Sequence, residues 1–325
     1  MRIITTTLAA AAIALGLGAN AAGAKEMNLA FVLPQDSHYG DAAKAFAAKM
    51  EELSGGDITI NLKPAGALGG ERDVIEGLQI GSIELTITST GPVGNFVPAV
   101  YALDFPFLFE SYNQARAVLD GPIGQELLAE FDTHDIVGLA WAENGFRHIT
   151  NSVHPIKTPA DLAGLKLRTM ENQVHIAAFQ AAGASPTPMS WTEVLTSLQQ
   201  GTIDGQENPI PVLVSNHLWE VQKYLTLTGH VYSPALVLMS KTHWDSLSQQ
   251  EQGWVSEAAK AAAAASRARV SSDEESGVAL LREHGMEVVT DVDKAAFAAA
   301  VQPAYDDYAE RMGVSDLIER IRTSE

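Results

Sequence analysis

The 325-residue sequence contains no cysteine. This absence excludes disulfide bonds, thiol chemistry and lipid attachment through a cysteine. Basic residues are also few, because 21 Lys and Arg stand against 40 Asp and Glu, for a formal net charge of −19. So acidic a chain is a poor partner for nucleic acid or for an anionic membrane, and neither is expected. A local pair of arginines can still hold a small anion.

Common catalytic motifs are missing as well. The mature chain has no G-x-S-x-G, no H-E-x-x-H and no histidines at metal-ligand spacing. The one near-match to a dinucleotide-binding pattern, around Gly16 and Gly18, lies in the apolar N-terminal segment. We therefore expect neither a cofactor nor a bound metal. An exported enzyme acting on a carboxylate substrate remains an alternative, as does a ligand-sensing subunit of a signalling system.

The first 24 residues are typical of a secretory signal peptide. One Arg precedes an apolar segment over residues 3–17, and small residues end in Ala22-Gly23-Ala24. The apolar segment is too short for a membrane span, and no basic stop-transfer flank follows it. These features predict cleavage before Lys25 and a periplasmic protein without direct membrane insertion.

The first part of the mature chain alternates between strands and helices. Strands are predicted over Leu29–Leu33, Ile58–Leu62 and Ile83–Thr88, with a helix in each interval. Such spacing indicates a parallel sheet. A further strand is predicted over Ile136–Trp141, followed by a polar turn that runs from Glu143 to Arg147.

A second, smaller alternation of strands and helices runs from Ile149 to about Ser233. The apolar stretch Val231–Met239 is long enough to cross between two lobes. From His243 to Gly285 the pattern is almost unbroken helix, which predicts one kinked helix spanning both lobes or two helices in succession. The expected division is 25–147 plus about 234–273 for lobe I, and 148–233 plus about 274–325 for lobe II.

Arg168 is a candidate for binding a carboxylate. Arg168 follows the apolar residues Leu165 and Leu167, so its guanidinium is expected at the carboxyl end of a buried strand. Open α/β sheets bind ligands at that edge. The planar fork of arginine matches a carboxylate with two parallel hydrogen bonds. The alternative is a structural Arg168 paired with Glu171 or Glu207.

Several motifs occur together and in order: GALGGERDVIEGLQIG, KLRTMEN, GASPTPMSWTEV, LQQGTIDGQENP and EVQKYLTLTGH. In these the chain resembles the extracytoplasmic solute-binding proteins of TRAP transporters, the DctP-like family, over nearly the whole mature chain. The resemblance implies an α/β, two-lobed periplasmic binding protein fold with crossing strands and a long lobe-spanning helix. It also implies ligand delivery to a sodium-driven membrane permease, without chemistry.

The resemblance also implies site residues. Arg168 is similar to the family's carboxylate-binding arginine, Arg147 to a second arginine that assists it, and Asn208 to an asparagine that contacts the same carboxylate. Glu71 matches an acidic position that touches ligand hydroxyls, and Trp191 an aromatic position that packs on the ligand. Further candidates for ligand contact are these polar residues: His38, Gln35 and Asn172.

The ligand class stays open at this point. The resemblance implies an acidic residue at the position of Ser89 in the sialic-acid-binding members. The serine here weakens the case for sialic acid as the ligand. Arg147 favours an organic acid anion over a zwitterionic solute such as ectoine, whose binding relies on aromatic faces. A sugar acid such as a uronate would use Gln35, His38 and Glu71 for its hydroxyls. A C4-dicarboxylate would use Arg147 for its second carboxylate.

Overall fold

A computed structural model describes residues 25–324 of the chain. The predicted signal peptide lies outside the described residues. No helix between residues 25 and 324 has the length and apolar character needed to cross a membrane. The same residues contain no cluster of three or more acidic or histidine side chains that could hold a metal ion.

The strands of the described residues are β1 (Lys25–Ala30), β2 (Ile58–Lys63), β3 (Leu85–Ser89), β4 (Ile136–Asn151), β5 (Lys166–Thr169), β6 (Ser185–Pro188), β7 (Gly205–Pro209), β8 (Tyr224–Thr226), β9 (Tyr232–Ser240) and β10 (Glu287–Val289). The α-helices are α1 (His38–Ser54), α2 (Glu71–Gln79), α3 (Thr90–Val93), α4 (Tyr112–Asp120), α5 (Pro122–Glu130), α6 (Gln173–Ala181), α7 (Trp191–Gln199), α8 (Ile210–Ser215), α9 (Lys241–Asp245), α10 (Gln249–Glu283), α11 (Lys294–Arg311) and α12 (Ser315–Arg322).

Two groups of strands share β4 and define the two lobes. In lobe I the order is β2-β1-β3-β9-β4, with β1 parallel to both β2 and β3, as the alternating pattern predicted. In lobe II β5 runs parallel to both β6 and β7, and β4 pairs antiparallel with β7 and β8. The chain therefore has the predicted two-lobed α/β architecture with crossing strands.

The connection between the lobes differs from the predicted one. β4 continues through the expected polar turn, so residues 143–147 are strand and not loop. Its first part pairs antiparallel with β9, and its last five residues pair with β7. A register shift between Glu143 and Gly145, with Gly145 at φ 120°, lets the strand change direction without ending. This places Arg147 on a buried strand.

The long helix α10 spans 35 residues, about 50 Å, and confirms the predicted lobe-spanning helix. It packs against α1 of lobe I and against α8 of lobe II. Small buried residues such as Ala258 and Ala262 form its contact face and permit close approach to α1. The Ser266 hydroxyl donates to the Glu143 carbonyl at 2.8 Å, which fixes α10 to the crossing strand.

The C-terminal helix contacts a different lobe from the one expected. Ile318 and Ile321 of α12 are buried in the same apolar cluster as Leu119 and Leu127 of lobe I. Arg320 also pairs with Glu126 of α5 at 2.6 Å. The predicted boundary assigned α12 to lobe II, whereas its side chains pack on lobe I. The rest of the proposed division stays a prediction.

Candidate ligand-binding cleft

A cavity is lined by residues of both lobes. Arg168 of β5 and Asn208 of β7 reach it from the carboxyl-terminal halves of two parallel strands, and Ser89 is the last residue of β3. Ligand sites of open α/β sheets occur at this edge. The polar lining is Tyr39, Glu71, Ser89, Asn144, Arg168 and Asn208, and the apolar lining is Val32, Leu33, Met170, Trp191 and Val212.

Arg168 is buried and only 2% exposed. Its Nε and Nη2 donate to the Met189 carbonyl at 3.0 and 2.7 Å, which fixes the guanidinium in place. Among residues 25–324 it forms no ion pair, neither with Glu171 nor with Glu207, and Nη1 has no hydrogen-bond partner. Burial lowers the pKa of Arg168 to about 10, so the side chain stays charged at neutral pH. A buried cation without a direct ion pair favours an anion beside it.

Trp191 is the first residue of α7, and its side chain is buried in the cavity wall. The guanidinium carbon of Arg168 lies 5.7 Å from the Trp191 ring centroid, within the range of a cation–π contact. The indole therefore supports Arg168 from one side and presents apolar surface to the cavity.

Asn208 lines the cavity and is 5% exposed. Its Oδ1 accepts from Nη2 of Arg147 at 3.1 Å, and its Nδ2 donates to Oε1 of Gln206. Because a cation occupies the amide oxygen, the amide orientation is fixed and its second N–H remains available. Asn208 can thus donate to a carboxylate held by Arg168.

Arg147 is fully buried and does not line the cavity. Its Nε lies 2.5 Å from Oε2 of Glu207, and Nη2 also reaches Oε1 at 2.9 Å. Although burial alone would raise it, the pKa of Glu207 is lowered by the Arg147 charge and by a hydrogen bond from His230. Arg147 is therefore half of a buried ion pair, and it acts on the cavity through Asn208.

Glu71, the first residue of α2, faces the cavity from lobe I. Its Oε1 accepts from the Ser89 N–H and from the Thr88 hydroxyl, both at 3.0 Å. Burial raises the pKa of Glu71, with the hydrogen bonds and the charge of Arg168 acting against that rise. A carboxylate held in this way can accept hydrogen bonds from ligand hydroxyls.

At the start of α1, Tyr39 is part of the cavity lining, whereas His38 lies behind it. Tyr39 lines the cavity, and its buried hydroxyl has no hydrogen-bond partner within residues 25–324. His38 is fully buried behind the wall, with Nε2 3.0 Å from Oδ1 of Asn144. Burial lowers the pKa of His38 to about 4, so it is neutral at physiological pH. His38 orients Asn144, which lines the cavity.

Like Arg147 and His38, the expected contact residues Gln35 and Asn172 lie outside the cavity lining. Gln35 is exposed in the turn before α1. Asn172 is buried and caps α6, with Oδ1 accepting from the His175 N–H at 3.0 Å. Its Nδ2 donates to Oδ2 of Asp104 at 2.8 Å and to the Gly91 carbonyl at 3.0 Å. Every hydrogen-bonding atom of the Asn172 amide is therefore used within the protein.

Sequence reasoning missed several lining residues, which are Val32, Leu33, Asn144, Met170 and Val212. Asn144 had a detectable signal, because it lies in the polar segment that also supplies Arg147. Met170 follows Arg168 by two residues and so emerges on the same face of the chain. Val212 had no such signal, since an apolar residue of a short helix looks like ordinary core.

Comparison with known proteins agrees with this geometry. A family model described as bacterial extracellular solute-binding protein, family 7 (DctP), matches residues 29–311. A solute-binding protein of Verminephrobacter eiseniae is 50% identical over 94% of this chain and 91% of its own length.

Solved structures are similar over the same range. A TRAP periplasmic solute-binding protein from Bordetella bronchispeptica, with density interpreted as pantoate, is 53% identical with a TM-score of 0.90. One from Polaromonas, bound to D-erythronate, is 47% identical with a TM-score of 0.91. Both alignments cover 93% of this chain and 99% of the other. The chain therefore belongs to family 7 of the bacterial extracellular solute-binding proteins, the DctP family.

Proposed function

We propose that this protein captures a small hydroxylated monocarboxylate of the sugar-acid type outside the cytoplasmic membrane. It then delivers the ligand to the membrane subunits of a TRAP permease. The family is one of solute-binding proteins of transporters, which supports binding without turnover. The expected signal peptide supports a periplasmic location.

The observation that carries the proposal is the buried guanidinium of Arg168 in the cavity wall, which has no counter-ion within residues 25–324. A carboxylate leaving water loses strong hydration, which charge-assisted hydrogen bonds from Arg168 and the Asn208 amide would replace. Glu71, Asn144 and the Tyr39 hydroxyl lie on the same cavity and suit the hydroxyl groups of such an acid.

The cavity favours one carboxylate over two. Among the described residues, Arg168 is the only arginine or lysine in its lining, because Arg147 is paired with Glu207 behind the wall. A second ligand carboxylate would meet Glu71, whose charge opposes it. A zwitterionic solute such as ectoine is also disfavoured, since the Trp191 face already contacts Arg168.

The ligands of similar proteins support a ligand with a short carbon chain. Pantoate and D-erythronate, named for two similar structures, are both hydroxylated monocarboxylates with a four-carbon backbone. The apolar lining by Val32, Leu33 and Val212 would accept a methylated chain as in pantoate.

Titration calorimetry of the purified mature protein tests the proposal. D-Erythronate or pantoate is expected to bind more tightly than succinate, galacturonate or ectoine. Arg168→Ala removes the cation of the lining and is expected to weaken binding at least about a thousandfold, or about 4 kcal/mol. Near-native affinity of Arg168→Ala would overturn the assignment, and tighter binding of succinate would favour a dicarboxylate. Consumption of a bound acid by the pure protein would favour an enzyme.

A further inference from the structure

A second concavity, separate from the cavity beside Arg168, lies on the other face of the crossing strand β4. Its volume of about 430 Å³ is within the range of small-molecule sites. Successive side chains of a strand point to opposite faces, so Phe146 and His148 face this concavity. Arg147, between them, faces Glu207 instead. No described residue lines both cavities. We call the second one the aromatic cleft, after four of its lining side chains: Phe107, Phe109, Tyr112 and Phe146.

Three of these rings pack on a fourth aromatic ring beneath the cleft. The centroids of Phe109, Tyr112 and Phe146 lie 5.4, 5.8 and 5.3 Å from that of the buried Tyr232, and all three contacts are edge-on. Rings packed at steep angles to one another present their faces in different directions, and a ring face attracts cations. One cation already uses this property, because the guanidinium carbon of Arg116 lies 5.4 Å from the Tyr112 centroid.

Glu274 of α10 supplies a buried acidic group to the cleft. Its Oε1 is buried and has no hydrogen-bond partner within residues 25–324. Arg269, one turn earlier in the helix, is bound to Asp273 instead. Burial raises the pKa of Glu274 to about 7, and the charges of Glu143 and Asp273 add to the rise, with the Tyr112 hydroxyl acting against it. A cation beside Glu274 would stabilise its ionised form.

The other polar groups leave the cleft acidic. Glu110 is exposed at its edge. His148 accepts from the Gly229 N–H at 3.0 Å through Nδ1, and burial lowers its pKa to about 3, so it is neutral. Lys294 is exposed, and its Nζ lies 3.5 Å from the position of a Cβ at Gly229. Among the described lining residues, two carboxylates therefore stand against one exposed lysine, and the buried charge is that of Glu274.

We propose that the aromatic cleft is a second binding site, which takes a small organic cation with an alkylated ammonium group. Such a group is recognised by aromatic ring faces, and the Glu274 carboxylate supplies the opposite charge. The inference goes beyond the proposed capture of an acid and does not rest on it, because the cavity beside Arg168 offers the opposite charge to its ligand.

Choline and its uncharged carbon analogue, in which a tert-butyl group replaces the trimethylammonium group, test the site. The two probes have the same shape and differ in charge. Saturation-transfer NMR on their methyl signals, with the mature protein, measures the binding of both. Choline is expected to bind with a Kd of about 1 mM or lower, and the analogue at least about tenfold more weakly. No transfer to choline, or equal binding of the two probes, would overturn the proposal.

A charge-removing variant locates the site. Glu274→Gln keeps the shape of the side chain and is expected to raise the Kd for choline about tenfold, with no effect on the uncharged analogue. Its Tm is expected not to fall, because the variant replaces a buried carboxylate that lacks a cation. The control is Glu275→Gln, which removes the same charge from the next, exposed residue of α10 and should leave the Kd for choline unchanged. Equal weakening by both variants would reduce the effect to net charge and overturn the site.

A ring-removing variant tests the aromatic contact. Phe146→Leu keeps an apolar side chain but removes the ring face, and it is expected to weaken choline several-fold while leaving the uncharged analogue nearly unchanged. Equal loss of both probes would show that the ring contributes apolar surface alone and would overturn the cation assignment. A native Kd for choline in both Glu274→Gln and Phe146→Leu would place choline elsewhere on the protein and overturn the proposal.

Discussion

At the scale of single residues, the two arginines of the site have different tasks because their surroundings differ. Arg168 has a carbonyl partner but no counter-ion among residues 25–324, so its charge is available to a ligand. Arg147 is neutralised by Glu207, and its remaining contact orients Asn208. The proposed ligand site thus combines one available cation with one fixed amide.

The buried Arg147–Glu207 pair leads to a stability prediction. Arg147→Ala leaves the Glu207 carboxylate buried without its cation, which is expected to cost about 3–5 kcal/mol of unfolding free energy. Arg168→Ala breaks no ion pair within residues 25–324 and should cost clearly less, although it removes binding. Urea denaturation of the two variants measures the difference. Adding Glu207→Gln to Arg147→Ala should recover part of the loss.

One result would contradict the structural role of the Arg147–Glu207 pair. If Arg147→Ala keeps native stability and yet abolishes binding, Arg147 contacts the ligand directly and the structural role is wrong.

At this scale the sequence predicted four residues that share one cavity, although their contact with a ligand stays a prediction, and it could not assign every role. Arg168, Asn208, Glu71 and Trp191 all line the cavity, as expected from their motifs. Arg147 looked like a loop residue because Glu-Asn-Gly is turn-like, whereas it pairs with Pro209 of β7, far along the chain. Asn172 could not be distinguished as a helix cap and interlobe contact, since Asp104 is distant in sequence.

At the scale of elements, the helix α10 is continuous through two glycines in opposite environments. Gly253 has open space where a Cβ would point. At Gly277 an added Cβ would lie 2.4 Å from Cγ2 of Ile210 in α8. The first glycine weakens the helix, and the second permits close packing on lobe II. The helical pattern predicted α10, but it could not show which glycine faces a neighbour.

These two glycines form a matched pair for a second stability measurement. Gly253→Ala is expected to raise the unfolding free energy by about 0.5–1 kcal/mol, because alanine loses less conformational entropy in a helix. Gly277→Ala makes the same change in helix propensity but adds overpacking, and is expected to lower stability by about 1–3 kcal/mol. Equal stabilisation by both changes, in urea denaturation, would show that α10 and α8 are not in close contact.

At the scale of the whole molecule, the cavity lies where the two lobes meet. Lobe I supplies Tyr39 and Glu71, and lobe II supplies Arg168 and Asn208. The two lobes were expected from the resemblance to the DctP-like family, and the alternating pattern and the long helix were consistent with them. The packing of α12 on lobe I could not be predicted. Its amphipathic pattern indicates that one face is buried, but it does not indicate which element covers that face.

A ligand that contacts both lobes binds the closed arrangement better than an open one, and it therefore shifts the population toward closure. Small-angle scattering of the mature protein is expected to show a smaller radius of gyration with saturating D-erythronate than without ligand. Arg168→Ala, at the same acid concentration, should keep the unliganded dimensions, because the anion is no longer held. Identical dimensions for the wild type in both conditions would mean that binding does not move the lobes, and that a permease would have to recognise the loaded protein by some feature other than closure.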